Sequence, residues 1–137
     1  MGLTVLDSGV LIGFLDSNDA HHPASLEVFT DAHAGNDRLV LPASALAEIL
    51  VGPSRRGTAA VGAVRELLDR LPIEVEPVGS EIAVAAAALR ARHRSVKLPD
   101  ALVIATAAHL DADLLVTTDR GWPTRAKLGL RGVVRAI

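Results

Sequence analysis

The chain alternates short apolar runs with longer amphipathic stretches from end to end. "LTVL" (Leu3–Leu6) is an uninterrupted apolar run closed by Asp7, and it predicts a buried strand. "SGVLIGFLD" predicts a helix from Ser8 to Asp16, and "SNDAHHP" a loop. Pro23 falls where a first helical turn tolerates it. Ala24–Ala34 reads as a second helix, closed by Gly35. "RLVLP" (Arg38–Pro42) predicts the next strand, followed by a helix over Ala43–Val51 that "GPSRRG" stops. A long amphipathic helix over Thr58–Leu71 is stopped by Pro72. "IEVEPV" (Ile73–Val78) alternates like a half-exposed strand. Ser80 caps a helix that runs through Ala83–Arg94. "LPDALVIATAAHL" carries another helix over Asp100–Leu110, and "DLLVTT" (Asp113–Thr118) a strand ending at Asp119. After a polar turn, "GVVRAI" closes the chain as a last strand.

Strand and helix patterns in alternation predict an α/β three-layer fold with a central, mainly parallel sheet flanked by helices. No linker-like stretch, repeat or low-complexity tract divides the 137 residues, so the chain reads as a single domain. Composition sharpens the picture of the core. Half of the residues are apolar, but there are only two Phe, one Trp and no Tyr, so the interior must be built from Leu, Val, Ile and Ala. The absence of cysteine excludes disulfides and thiolate metal sites. The longest apolar run, Ile82–Leu89, is far short of the ~20 residues that cross a bilayer. Asp7 interrupts the N-terminus too early for a signal peptide. These features lead us to expect a cytoplasmic protein without a membrane partner. The formal net charge of −2 does not by itself announce a nucleic-acid binder.

The candidate chemistry lies at the strand ends. In open parallel sheets, ligands bind beyond the carboxyl ends of the strands. The first strand delivers Asp7 to that edge, and "DLLVTT" delivers Asp119. Glu48 follows within two turns of the "RLVLP" strand, and Asp100 opens the helix that leads to Asp119. Singly, each has a plain alternative: Asp7 and Asp100 as helix caps, Glu48 on a solvent face, Asp119 in a turn. Together, four carboxylates in one crevice repel one another and need a hard cation such as Mg²⁺ or Mn²⁺. No HExxH zinc pattern is present. The five histidines (His21, His22, His33, His93, His109) show no pairing that suggests a metal-free route.

These residues resemble a known family. "LTVLDSGVLIGFLD" resembles the N-terminal signature of PIN-domain nucleases, "LPASALAEIL" their second motif, and "LPDALVIATAAHLDADLLVTTDRGW" their third and fourth motifs run together. The compact size resembles the VapC toxins of toxin–antitoxin pairs. The resemblance implies a five-stranded parallel sheet and an Mg²⁺- or Mn²⁺-dependent ribonuclease held inactive by a VapB-type antitoxin. Carried onto this chain, Asp7, Glu48, Asp100 and Asp119 form the acidic, metal-holding catalytic site. In the same carry-over Ser8 and Thr117 or Thr118 support it by hydrogen bonds to carboxylates or water. Trp122 stands where the family more often has phenylalanine, and Pro123 follows it, which marks the adjoining loop as particular to this chain.

For RNA contact, "LRARHRSVK" supplies Arg90, Arg92, Arg94 and Lys97 just before Asp100; Arg120 adjoins Asp119, and "SRRG" adds Arg55 and Arg56. A solvated helix face is the competing account of that basic run. The first helix carries Val10, Leu11, Ile12, Phe14 and Leu15, more apolar residues than one core-facing stripe requires. That surplus suits an antitoxin groove, a homodimer face, or burial on two sides. Two other folds that gather ligands at strand ends fit less well. "IEVEPV" ends without the acid that a receiver domain needs, and no GxGxxG follows the first strand. A binding scaffold without activity, or a nuclease of the same fold acting on other nucleic acids, remains the alternative function.

Overall fold

The computed structural model describes all 137 residues. Its elements are β1 (Leu3–Leu6), α1 (Ser8–Leu15), α2 (His22–Ala34), β2 (Arg38–Pro42), α3 (Ala43–Arg56), α4 (Thr58–Arg70), β3 (Ile73–Glu76), α5 (Ser80–Arg92), α6 (Leu98–His109), β4 (Leu114–Thr117), α7 (Arg125–Leu128) and β5 (Val133–Ala136). The five strands form one parallel sheet in the order β3-β2-β1-β4-β5. The central strands are covered on both faces, which is why they read as unbroken apolar runs. Val5, Leu6, Leu41 and Val116 are fully buried, whereas the edge strands β3 and β5 keep exposed positions such as Val75 and Val133. As the composition requires, the core is almost wholly aliphatic.

The strand order fixes where a ligand can enter. From β1 the chain steps outward through β2 to β3, then returns to place β4 on the other side of β1. The connections leaving β1 and β4 therefore diverge, opening a crevice between their carboxyl ends. At the opposite end, the start of β1 is pinned by two carboxylates. Asp37 Oδ1 accepts from Gly2 N at 2.7 Å, and Asp113 Oδ2 from Leu3 N at 2.8 Å. Gly132 lets β5 enter beside the α6–β4 turn, where a Cβ would press on the carbonyl oxygens of Ala112 and Asp113.

Several boundaries differ from the expectation. Helix α3 does not stop at "GPSRRG" but runs through Pro53 to Arg56. Proline removes one helical hydrogen bond, but here its ring is buried, and the helix ends instead at Gly57, whose φ of 122° no other residue adopts readily. Ser80 is not a cap; it is the first residue of α5 and makes no capping hydrogen bond. Helix α6 begins at Leu98 with Pro99 in its first turn, so Asp100 lies inside the helix and is not its cap. The polar turn before the last strand contains the short helix α7.

Candidate active site

Asp7 is the innermost member of the site. It immediately follows β1, and its backbone N–H donates to Val116 O at 2.9 Å, continuing the β1–β4 ladder past the strand end. Its side chain does two jobs. Oδ1 accepts from Ser8 N at 2.8 Å, capping α1, while Oδ2 accepts from Thr117 Oγ1 at 2.7 Å. The capping account of this residue is therefore correct but incomplete. The carboxylate is only 6% exposed, and capping alone would not require such burial. Thr117, fully buried at the end of β4, also accepts from Asp119 N at 3.0 Å. One hydroxyl thus ties the chain on both sides of the crevice: Asp119 N–H to Thr117, Thr117 O–H to Asp7. Gly9 permits α1 to approach β4 this closely, because a Cβ there would collide with Thr118 Oγ1.

The other acids arrive from their own elements. Glu48 lies in the second turn of α3, on the exposed side, and Asp100 in the first turn of α6, half-buried. Asp119 is exposed, and its Oδ1 accepts from Gly121 N at 2.7 Å, which closes the turn beyond β4. Burial pushes the Asp7 carboxyl above the ordinary range; the hydrogen bonds from Thr117 and Ser8 oppose this, and the charge of Asp119 adds to it. Glu48 is raised by burial and then by the charges of Asp7 and Asp100. Asp100 is raised by burial, Asp7 and Asp119, with Trp122 and Lys97 acting the other way. Each of the four carboxylates is thus within electrostatic reach of at least one other.

The carboxylates form an open rim. No three acidic or imidazole side chains stand close enough to make a ready-made metal cage. Like charges spaced around a crevice with little positive charge facing them are short of compensation. The donor set is oxygen alone, the kind that hard divalent cations take.

The basic residues divide. Arg90, Arg92, Arg94 and Lys97 lie on the last turn of α5 and the loop that enters α6, all exposed. Lys97 is near enough to act on Asp100. Arg90 is already engaged, its Nη1 donating to Arg94 O at 2.6 Å and bracing that loop. Arg120 is exposed beside Asp119 and makes no hydrogen bond or ion pair. Arg55 and Arg56 end α3, roughly 10 Å along the helix axis from Glu48 at 1.5 Å per residue. Arg56 lines a different feature, an apolar groove of about 530 Å³ between α1, α3 and α4. Val10 and Leu11 of α1 are buried in the core, while Ile12 and Leu15 face that groove with Ile49, Pro53 and Val64. The apolar surplus of the first helix is therefore split between core and surface.

Of the two threonines that the resemblance offered as supports, Thr117 makes the bond to Asp7 and the Thr118 hydroxyl makes none; the bond from Asp119 N–H to Thr117 and the cleft beside Trp122 were not foreseen. The one signal for that cleft was the unusual "RGWP" after Asp119. Trp122 is half-buried, and its Nε1 lies near enough to Asp100 to favour the carboxylate but within bonding distance of no acceptor.

Comparison with solved structures returns the same architecture. The chain superposes on the VapBC2 complex from Rickettsia felis bound to a fragment of promoter DNA, with a TM-score of 0.69, 16% identity and 98% of both chains covered. A toxin–antitoxin complex from Klebsiella pneumoniae gives a TM-score of 0.66 at 24% identity, covering 88% of this chain and 92% of the other. VapC20 of Mycobacterium tuberculosis, a toxin that cleaves the sarcin–ricin loop, gives 0.66 at 19% identity, covering 86% and 91%. At such identities the likeness concerns the fold. No curated protein matches the sequence significantly. The model of the PIN domain, however, matches residues 4–128, a span that holds all four acids of the rim and every strand of the sheet but the last. The chain belongs to the PIN-domain family.

Proposed function

We propose that this protein is a divalent-metal-dependent endoribonuclease acting as the toxin of a VapBC-type toxin–antitoxin pair. The observation that carries the reading is the shared electrostatic burden of Asp7, Glu48 and Asp100 at the crevice where the strand order reverses. Burying acids beside acids costs stability, and a structural role for Asp7 as a helix cap would not require it. Asp7, Asp100 and Asp119 would hold Mg²⁺ or Mn²⁺, with Glu48 at the rim; the cation would supply Lewis acidity and an activated water for phosphodiester hydrolysis.

The chain's own groups have separable tasks. Thr117 holds Asp7 Oδ2 and the Asp119 backbone in one register, which orients two carboxylates from different strands. We assign to Glu48, the most accessible raised acid, the task of taking a proton from an attacking water. We assign the RNA phosphates to the exposed cations Arg92, Arg94, Lys97 and Arg120, of which Lys97 acts on Asp100 and Arg120 adjoins Asp119 in the chain. RNA as the substrate class is favoured by the shared fold with a toxin that cleaves the sarcin–ricin loop. The apolar groove of α1, α3 and α4 is the surface that we assign to a VapB-type antitoxin, since solved relatives of this fold are toxin–antitoxin complexes.

The test is direct. Purified protein is incubated with labelled RNA in Mn²⁺, in EDTA, and as Asp7→Asn in Mn²⁺. Cleavage is expected only in the first. Cleavage that persists in both of the others removes the metal-dependent reading, and no cleavage of any RNA in Mn²⁺ removes the nuclease itself.

A further inference from the structure

Beside the acidic rim lies a cleft of about 410 Å³ that the carboxylates do not fill. Its walls are Asp119, Arg120, Trp122, Pro123 and the edge strand β5 through Val134 and Ala136. Three features of it point to an occupant.

The first is the aromatic. Of the three aromatic residues, Phe14 and Phe29 pair with each other, their ring centroids 4.2 Å apart, on α1 and α2. Trp122 is the remaining one, and it stands three residues after Asp119. The only polar atom of its side chain, Nε1, is fully buried, while the residue as a whole is half-exposed. Whatever indole surface faces the cleft is therefore ring carbon. The second is charge. Arg120 has no protein partner, and Arg125, at the cleft's far wall, holds the carbonyl oxygens of Arg131 and Gly132 at 3.3 and 3.2 Å. That leaves one free guanidinium beside the ring and braces the wall opposite. The third is continuity. Asp119 belongs to both the acidic rim and the cleft, so whatever enters the cleft is adjacent to the chemistry.

We infer that this cleft is a base-binding subsite. One nucleobase next to the scissile phosphate stacks on the indole of Trp122, and Arg120 takes the adjoining phosphate. The inference rests on the nuclease reading for its substrate but not for its test. A planar π-surface with a neighbouring cation is the common arrangement by which single-stranded nucleic acid is held without base-specific hydrogen bonds. The cleft accordingly accepts several bases and selects single-stranded over duplex RNA.

The protein carries its own reporter. It has one tryptophan and no tyrosine, so its indole emission arises from Trp122 alone. The full chain is titrated with a hexa-adenylate in Ca²⁺, a gel confirming that the strand stays intact, and the same titration is made with a strand of abasic ribose phosphates. Saturable quenching by the hexa-adenylate, with little change from the abasic strand, is expected. In a parallel polarisation assay with labelled strand, Trp122→Leu weakens binding roughly 5- to 100-fold, the range for losing one stacked base. Trp122→Phe, which keeps a ring, stays within a few-fold of the parent. The Phe variant preserves the test if the Leu variant does not fold. Unchanged emission, equal quenching by the abasic strand, or equal affinity of the Phe, Leu and parent chains overturns the subsite. So does emission that responds to an antitoxin partner and not to RNA. These outcomes are separate from the fate of the nuclease. A chain that cleaves RNA in Mn²⁺ without quenching keeps its activity and loses the subsite. Quenching without cleavage keeps the subsite and loses the activity.

Discussion

Replacing Thr117 by valine isolates the junction that holds the two sides of the crevice together. Valine is nearly isosteric with threonine and suits a strand, so neither a cavity nor a change in β-propensity intervenes. What disappears is one hydroxyl with two partners, Asp7 Oδ2 at 2.7 Å and Asp119 N at 3.0 Å. A hydrogen bond to a charged acceptor contributes about 1.5–3 kcal/mol, and an orphaned backbone N–H at a partly solvated turn costs about 1 more. The expected loss is therefore about 3 kcal/mol near neutral pH. With an unfolding entropy of about 2.1 cal/mol/K per residue, 137 residues turn this into a fall in Tm of about 10 °C. Thr117→Ser is the control. It keeps the hydroxyl and loses one methyl, worth about 1 kcal/mol, so it should melt well above the valine variant. The loss in the valine variant should shrink as pH falls toward 4, because a protonated Asp7 no longer needs that donor. The assay is thermal or urea unfolding in chelator at several pH values. A valine variant within about 0.5 kcal/mol of the parent, the range of an ordinary surface change, or one no worse than serine, would show that the hydroxyl does not hold the crevice.

Three further outcomes follow from the same geometry. The folded-state pKa values of Asp7, Glu48 and Asp100 are raised, so the native chain binds protons more readily than the unfolded one at these sites. Their share of stability is fully present below the ordinary carboxylate range and is lost as pH rises through the raised values. In chelator, Tm should then hold or rise as pH falls from 7 toward 5; a steady fall over that interval contradicts the shifts. Gly9→Ala places a methyl against Thr118 Oγ1 and should cost about 1–3 kcal/mol, with Thr118→Ala in the same chain restoring part of it. Urea midpoints that are simply additive would show that the two residues do not meet. Glu48→Gln, which removes a charge that Asp7 and Asp100 oppose, should hold or slightly raise Tm in chelator at neutral pH while lowering RNA cleavage about 10²–10⁴-fold; single-turnover rates measure this, and unaltered turnover excludes Glu48 as the proton acceptor.

The acidic residues illustrate how far a linear reading reaches. The positions of Asp7 and Asp119 at the sheet's edge were legible because one directly follows the apolar run of β1 and the other closes the short strand "DLLVTT", and strand ends in a parallel sheet point to one edge. Asp100 looked like a helix cap. The structure instead starts α6 two residues earlier and leaves Asp100 inside the first turn, because Pro99 is accommodated within that turn. Pro53 misled in the opposite sense, since its burial against neighbouring helices outweighs the lost helical hydrogen bond and α3 continues to Arg56. Arg55 and Arg56, grouped by sign with the other cations, lie farther along α3 than the rim because a helix carries its residues away at a fixed rise.

The sequence by itself determined the layering, the aliphatic core and the class of side chains available to the site. Period and composition are local properties that every residue carries wherever the chain goes. Only the tertiary structure decided that β4 lies against β1, that one threonine hydroxyl bridges Asp7 and Asp119, and that the lone tryptophan walls a cleft beside them. Those relations join residues as many as 110 positions apart. They are settled by which strands pair and how closely helices pack, and no local pattern encodes that.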